Sequence, residues 1–449
     1  MSSSAETVAN IEELLKQILI WVPALSLIRF KCVSKQWLSL ISDPEFRLRH
    51  TLRNPNSKIS AFFSSKIQDE SFKSILLGNH EIPPGWNPFK TLKNSDSVPD
   101  ESKLRILQSC NGLFLCHIPR SGLETKNHPV YVVNPTTNEF RALSFPVVRH
   151  SSDSLFVRYA LAFDPSISPH YKVVCVNNFT FYYNRGKHKI DIYSSKTGEW
   201  KHLDTPFFPR PSDEGRHPHF MNKAMHFDCR SREGAIYCNG AVHWIRDIGE
   251  ASLPFYSFPD GKFIRNEADV LHYFDIGQER FLVASATPPV PLVAKNFPRL
   301  LTQRYFGECG GCLYLIEIYQ RCNTQYFEVM EMETDYSGWF VKYRHYRVIS
   351  GDLNPIVAAL PGQDWNAFVV LCLSGKEETS QEIDDKVEDS STDLLLHMPG
   401  KIISYNLRNK TFNTSIELAN KELYLTLGDH NHCLPEDIIF PYMETLACL

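Results

Sequence analysis

The chain has no long apolar run near its start. The longest uncharged stretch there, residues 17–28, contains Pro23 and falls short of the roughly 20 residues needed to cross a bilayer. Lys16 and Arg29 interrupt the apolar residues and Glu12 and Glu13 precede them, which is not the pattern of a secretory leader. No membrane partner is expected. An excess of one charge is missing too. Eight of the 51 acidic and two of the 47 basic residues lie between Lys376 and Asp393, which leaves 45 basic against 43 acidic elsewhere. So nearly neutral a chain carries no electrostatic footprint for nucleic acid. A P-loop, a Gly-x-Ser-x-Gly elbow and a dinucleotide fingerprint are also lacking, so no cofactor and no catalytic role are expected.

Metal-ligand patterns are thin. Cys309-Gly310-Gly311-Cys312 has the spacing of half a zinc site, but no second pair follows at a ligand interval, and a glycine turn into a core strand is the simpler reading. The sets His217, His219, His226 and His430, His432, Cys433 lie in polar stretches without supporting carboxylates. Twelve cysteines without a secretory signal read as reduced thiols of the cytoplasm or nucleus. Trp200, Trp244 and Trp339 read as packing residues.

What is present begins with helical periodicity. Ile11, Leu14, Leu15, Ile18, Leu19 and Val22 recur at helical spacing until Pro23, which ends one helix and opens the next. Ser34 is a predicted N-cap for a helix carrying Trp37, Leu38, Leu40 and Ile41, and Asp43-Pro44 is a cap with proline at the first helical position. Between Val8 and His50, 23 of 43 residues are apolar, a surplus for so small a unit. Periodicity alone leaves two readings: an apolar face that awaits another protein, or helices that pack on the large domain.

The run Ile18-Leu19-Ile20-Trp21-Val22-Pro23, then Ser26 to Trp37, then Leu40-Ile41-Ser42-Asp43-Pro44-Glu45-Phe46, closely resembles the F-box. The resemblance implies docking on the Skp-type adaptor of Skp-cullin-F-box ubiquitin ligases, with contacts from Leu14, Ile18, Leu19, Val22, Pro23, Leu27, Val33 and Trp37. Where the family usually opens with Leu-Pro, this chain has Asn10-Ile11, which predicts a weaker first anchor.

Beyond a connection with some strand at 51–104, one device repeats: a β-rich segment, a polar turn, then an aromatic. Its copies are Tyr131 to Phe140, Ile192 to Trp200, Tyr273 to Phe281, Met332 to Trp339 and Ile403 to Phe412. Each reads as the hairpin joining the outer two strands of a four-stranded blade, with the aromatic packed between blades. An apolar inner strand precedes four of them, at Leu113 to Cys116, Tyr171 to Val176, Ala235 to Trp244 and Cys312 to Ile318. Cys110-Asn111-Gly112-Leu113-Phe114-Leu115, Val133-Asn134-Pro135-Thr136-Thr137 and Asn239-Gly240-Ala241-Val242-His243-Trp244-Ile245 are similar to plant F-box-associated domains, which are related to kelch-like propellers.

The expected fold is therefore mainly β: an F-box helical module at 8–50, then a β-propeller of about six blades over 105–449. Its last blade combines strands near 59–77 with the C-terminal piece. The acidic segment 376–393 is expected to be a disordered loop. The expected function is that of a non-catalytic substrate receptor, bound through the adaptor to cullin and holding an unknown protein substrate. The alternative is a propeller scaffold that acts without the ligase. Substrate contacts are expected in the long inserted loops 177–189, 205–226 and 248–268, with Tyr182, Tyr183 and Phe220 as candidates.

Overall fold

The computed structural model describes residues 12–54, 59–66, 72–77, 89, 104–117, 130–144, 154–181, 184–203, 235–245, 255–257, 263–265, 270–290, 301–321, 324–348, 369–375, 392–398, 401–417 and 437–449. Four short helices come first: α1 (Glu12–Leu19), α2 (Ala24–Phe30), α3 (Lys35–Ser42) and α4 (Pro44–Arg53). Their caps are the ones the sequence predicts. Ser34 Oγ accepts from Trp37 N at 3.2 Å, and Asp43 Oδ1 accepts from Glu45 N at 3.4 Å with Pro44 opening α4. No described helix is long and apolar enough to cross a membrane.

The rest is antiparallel sheet. Five four-stranded meanders follow one another in chain order, each the blade unit of a propeller. The first holds Arg105–Cys110, Leu113–His117, Val130–Asn134 and Glu139–Leu143, and the second Lys172–Phe181 between Ser154–Ala162 and Asn184–Ser194, with Glu199–Leu203 outermost. The third holds Ile236–Cys238, Ala241–Trp244, His272–Asp275 and Arg280–Val283, and the fourth Leu301–Cys309, Cys312–Arg321, Thr324–Met332 and Trp339–Val348. The fifth holds Val369–Gly375, Thr392–Met398, Lys401–Asn406 and Thr411–Glu417. The sixth set of strands is smaller than the expected blade: Ile59–Lys66 pairs with Phe72–Leu76 on one side and Asp437–Met443 on the other, making three strands. Five complete blades, not six, are thus present among the described residues.

All five predicted hairpins join the outer two strands of their sheets, and one backbone rule builds them. The residue four past the end of the third strand is left-handed in every copy: Asn138, Gly198, Glu279, Tyr336 and Lys410. An Asn or Asp side chain often pins the start of the turn. Asn134 Oδ1 accepts from Thr136 N at 2.9 Å, and Asp275 Oδ1 accepts from Gly277 N and Gln278 N at 2.8 and 2.7 Å. Glu279 and Lys410 occupy a position that favours Gly or Asn, which is why those copies look loose in sequence. The inner hairpins of three sheets use two-residue turns with both φ positive, Asn111-Gly112, Asn239-Gly240 and Gly310-Gly311. Gly310-Gly311 is therefore a turn, as the simpler reading had it, and burial pushes the Cys309 thiol up to about 11.

The chain divides into two compact units, Met1–Pro206 with Phe440–Leu449, and Phe207–Ile439. Within each, neighbouring sheets are stitched by the same residues. Cys110 Sγ and Asn111 Nδ2 both donate to Phe163 O, at 3.3 and 2.7 Å; Cys238 Sγ and Asn239 Nδ2 both donate to Gly311 O, at 3.4 and 2.6 Å. Trp200 Nε1 donates to Ser144 O, and Trp339 packs with Cys238, Ile245 and Leu271 of the preceding sheet. Of the other closing aromatics, Phe281 stacks on Trp244 of its own sheet, and Phe412, 37% exposed, rests on Tyr405 of its own. Two further expectations shift. Most of 177–189 is strand, the hairpin running to Phe181 and resuming at Asn184. At the other end of the acidic run, Thr392 and Asp393 already belong to a strand, where Asp393 accepts from Ser404 and Asn406.

Two outcomes test this account. Gly112 and Gly240 share a positive φ, but a Cβ on Gly112 would sit 2.6 Å from Thr445 Cγ2 and 2.7 Å from Met443 O, whereas at Gly240 no described atom lies within 4 Å. Gly240→Ala is expected to cost about 1 kcal/mol for its backbone alone, and Gly112→Ala roughly 2 kcal/mol more, read as the difference in urea midpoints. The second concerns pH. His243 donates through Nδ1 to Ile236 O and accepts at Nε2 from Tyr336, and burial pulls it down to about 4 from the usual 6.5. Above pH 6.5 both folded and unfolded chains leave it neutral. Between 6.5 and 4 only the unfolded chain takes up the proton, so stability falls with falling pH by up to about 3 kcal/mol. Hydrogen exchange at Ala241–Trp244 should show that slope, and His243→Gln should flatten it; an unchanged slope in the variant counts against the assignment.

Candidate adaptor-binding module and its anchorage

Each helix has two faces with different fates. On α1, Leu15 and Leu19 are buried, while Leu14 and Ile18, one turn apart on another face, are 39% and 53% exposed. The buried side continues through Ala24 and Leu27 of α2, Leu40 and Ile41 of α3 and Phe46 of α4, with Val22, Phe30 and Trp37 packed against it. Trp37 meets Phe30 edge-on at 5.5 Å. The last turn of α4 closes the loop after α1: His50 Nε2 bonds Val22 O at 2.9 Å and Asn54 Nδ2 donates to Ile20 O at 3.0 Å. Burial depresses the His50 imidazole below its ordinary range.

The eight residues implied as adaptor contacts are thus divided by the fold. Leu14, Ile18, Pro23 and Val33 are exposed, Val22 and Trp37 are half-buried, and Leu19 and Leu27, at 2% and 0% exposure, are interior to the helical core. Trp21 and Leu38, not among the eight, are exposed at 62% and 47%, and the Arg53 guanidinium lies 4.3 Å over the Trp21 ring. Asn10 and Ile11, together with Tyr182, Tyr183 and Phe220, lie outside the described residues.

The helical core has one member from far away. Leu446, three residues beyond the strand Asp437–Met443, is fully buried within it. Burying a leucine side chain contributes roughly 2 kcal/mol, a large share for a unit near the lower size limit of about 40 residues for independent folding. Polar contacts hold the same segment. Pro23 offers α2 no side-chain cap, and the Glu444 carboxylate accepts from Leu25 N at 2.9 Å in its place, where a negative charge also suits the helix dipole. Arg47 of α4 donates through Nε to Leu446 O at 3.0 Å and through Nη2 to Ala447 O at 3.2 Å. Its other bonds form a fork onto Glu139, at 2.9 and 2.6 Å, in the outer hairpin of the first sheet. Lys31 lies close by, its ammonium pushed down by burial and by the Arg47 charge.

The first sheet receives the segment with the Val133 to Thr137 phrase. Asn134 Nδ2 donates to Thr445 O at 3.1 Å and Ala447 O at 2.9 Å while its Oδ1 builds the turn, and Thr136 Oγ1 accepts from Thr445 N at 3.1 Å and meets Tyr442 OH at 2.8 Å. Rings of Phe63, Phe89, Phe114 and Tyr442 pack together behind it. Sequence reasoning missed Arg47, Glu139, Glu444 and Leu446, because partners about 90 to 420 residues apart leave no local pattern.

Among known proteins, the description "F-box domain" matches residues 12–49 and "F-box associated beta propeller domain" matches residues 64–295. An F-box protein of Arabidopsis thaliana is 31% identical over 460 residues, covering 99% of this chain and 94% of that one. An F-box/kelch-repeat protein of the same plant is 26% identical over 250 residues, 55% of this chain and 61% of its own. A polysaccharide lyase structure overlaps 72% of this chain and 68% of its own at 11% identity and a TM-score of 0.32, too slight a likeness to bear on fold or activity. With helices, sheets and matches in agreement from residue 12 to the C-terminus, the chain belongs to the F-box proteins that carry an F-box-associated β-propeller domain.

Proposed function

We propose that this protein is the substrate-recognition subunit of a Skp-cullin-F-box ubiquitin ligase. The carrying observation is the apolar set Leu14, Ile18, Trp21, Val33 and Leu38, which stays exposed on a helical module whose core is already filled by the chain's own Leu446. A Skp-type adaptor would dock there by helix-in-groove contact, Leu14, Ile18 and Val33 serving as anchors and Leu19 and Leu27 shaping the face from behind. The adaptor links the chain to cullin. The propeller sheets hold a protein substrate through their connecting segments, Tyr182, Tyr183 and Phe220 among the candidate contacts. Chemistry belongs to a separate conjugating enzyme, and the receptor contributes by raising the effective concentration of substrate near it. Work in the cytoplasm or nucleus fits the free thiols of the nine described cysteines.

A second reading has a specific observation behind it: Leu446 packs the helices on the chain's own segment after Met443 and the Arg47 fork ties them to the first sheet, as a scaffold that never meets an adaptor would need. Substitution separates the two. Ile18→Asp with Val33→Asp places two charges on the exposed face and should weaken co-purification of a Skp-type adaptor by about 30-fold or more while leaving the unfolding midpoint unchanged. Leu27→Asp, by contrast, should unfold the helices. Adaptor that stays bound to the Ile18/Val33 variant, or that never binds the full-length chain, refutes the receptor reading.

A further inference from the structure

We infer that the segment Met443–Ala447 is a structural part of the adaptor-binding module, so that the helices acquire their stable form only when that segment is in place. This rests on the receptor reading for its biological meaning, though the coupling itself is a property of the fold. Three independent contacts point to it. Leu446 completes the apolar core shared by all four helices. Glu444 caps α2, where Pro23 supplies no acceptor. Arg47 ties α4 at once to the segment's carbonyls and to Glu139 of the first sheet.

The segment cannot take this place alone. Asn134 and Thr136 bind its backbone, and the strand Asp437–Met443 that leads into it pairs with Ile59–Lys66. The helices at 12–53 are therefore stabilised by residues about 400 positions further along, which are positioned by the pairing of Asp437–Met443 with Ile59–Lys66. A chain that ends early would present helices without their core residue, their α2 cap or their Arg47 acceptors. Such a product would engage the adaptor poorly, which ties ligase entry to a completed propeller domain.

The test uses the full-length chain with three substitutions, Leu446→Asp, Glu444→Ala and Leu446→Ala, and two readouts. Hydrogen exchange of the α1–α4 amides should accelerate about tenfold or more in Leu446→Asp and by a smaller factor in Glu444→Ala, while amides of the second sheet keep their protection. Affinity for a recombinant Skp-type adaptor should fall in the same order. If Leu446→Asp does not yield soluble protein, Leu446→Ala should still loosen the helices before the sheets. Wild-type protection of the helices in Leu446→Asp, or uniform loss across the chain in Leu446→Ala, overturns the inference. Absence of adaptor binding by the unsubstituted chain would defeat the receptor reading and leave the exchange result standing.

Discussion

The contact on which the helical module depends is the seating of Leu446 among α1 to α4. Those helices number few residues, and a core of that size closes only marginally by itself. A buried leucine distant in the sequence, held by Arg47 through its own carbonyl and by Asn134 through that of Thr445, supplies apolar area and satisfies buried polar groups together. The arrangement also fixes which helical face remains free. With one side committed to Leu446, Leu14, Ile18 and Val33 remain exposed on the other.

A few residues do double work along that joint. Asn134 builds its own hairpin through Oδ1 and binds the C-terminal segment through Nδ2; Gly112 forms a tight turn and leaves room for Met443 and Thr445 to pass. Such positions tolerate little change because two separate requirements meet on one side chain. The fourth sheet shows a different economy. Arg304, Glu317, Glu328 and Arg344 stand at directly paired positions across its four strands, so that two fully buried carboxylates lie side by side with a guanidinium bonded to each from outside. Removing either arginine would leave like charges adjacent in a medium that screens them poorly.

Much of the architecture was legible without coordinates. The helix caps Ser34 and Asp43, the five outer hairpins and the inner strands of three sheets could be read locally, because a cap or turn needs particular side chains within a few residues of one another. Ala235 to Trp244, read as one strand, is instead two strands with Asn239-Gly240 turning between them. The blade count was less legible. The sixth set of strands draws on both ends of the chain and lacks the repeat's turn, and only pairing reveals that it has three strands. Nor could the packing role of the closing aromatics be read, since Phe412 and Trp339 end similar phrases yet one faces outward and the other a neighbouring sheet.

The sequence by itself therefore determined the class of the protein: an F-box followed by repeated β hairpins, each specified by short-range periodicity and turn chemistry. Tertiary structure alone decided which F-box residues are surface and which are core, dividing Leu14 and Ile18 from Leu19 and Leu27. Helical spacing shows that a helix has faces but not what covers each of them. Here one cover is Leu446, more than 390 residues from the helices it completes, and only the folded chain brings it there.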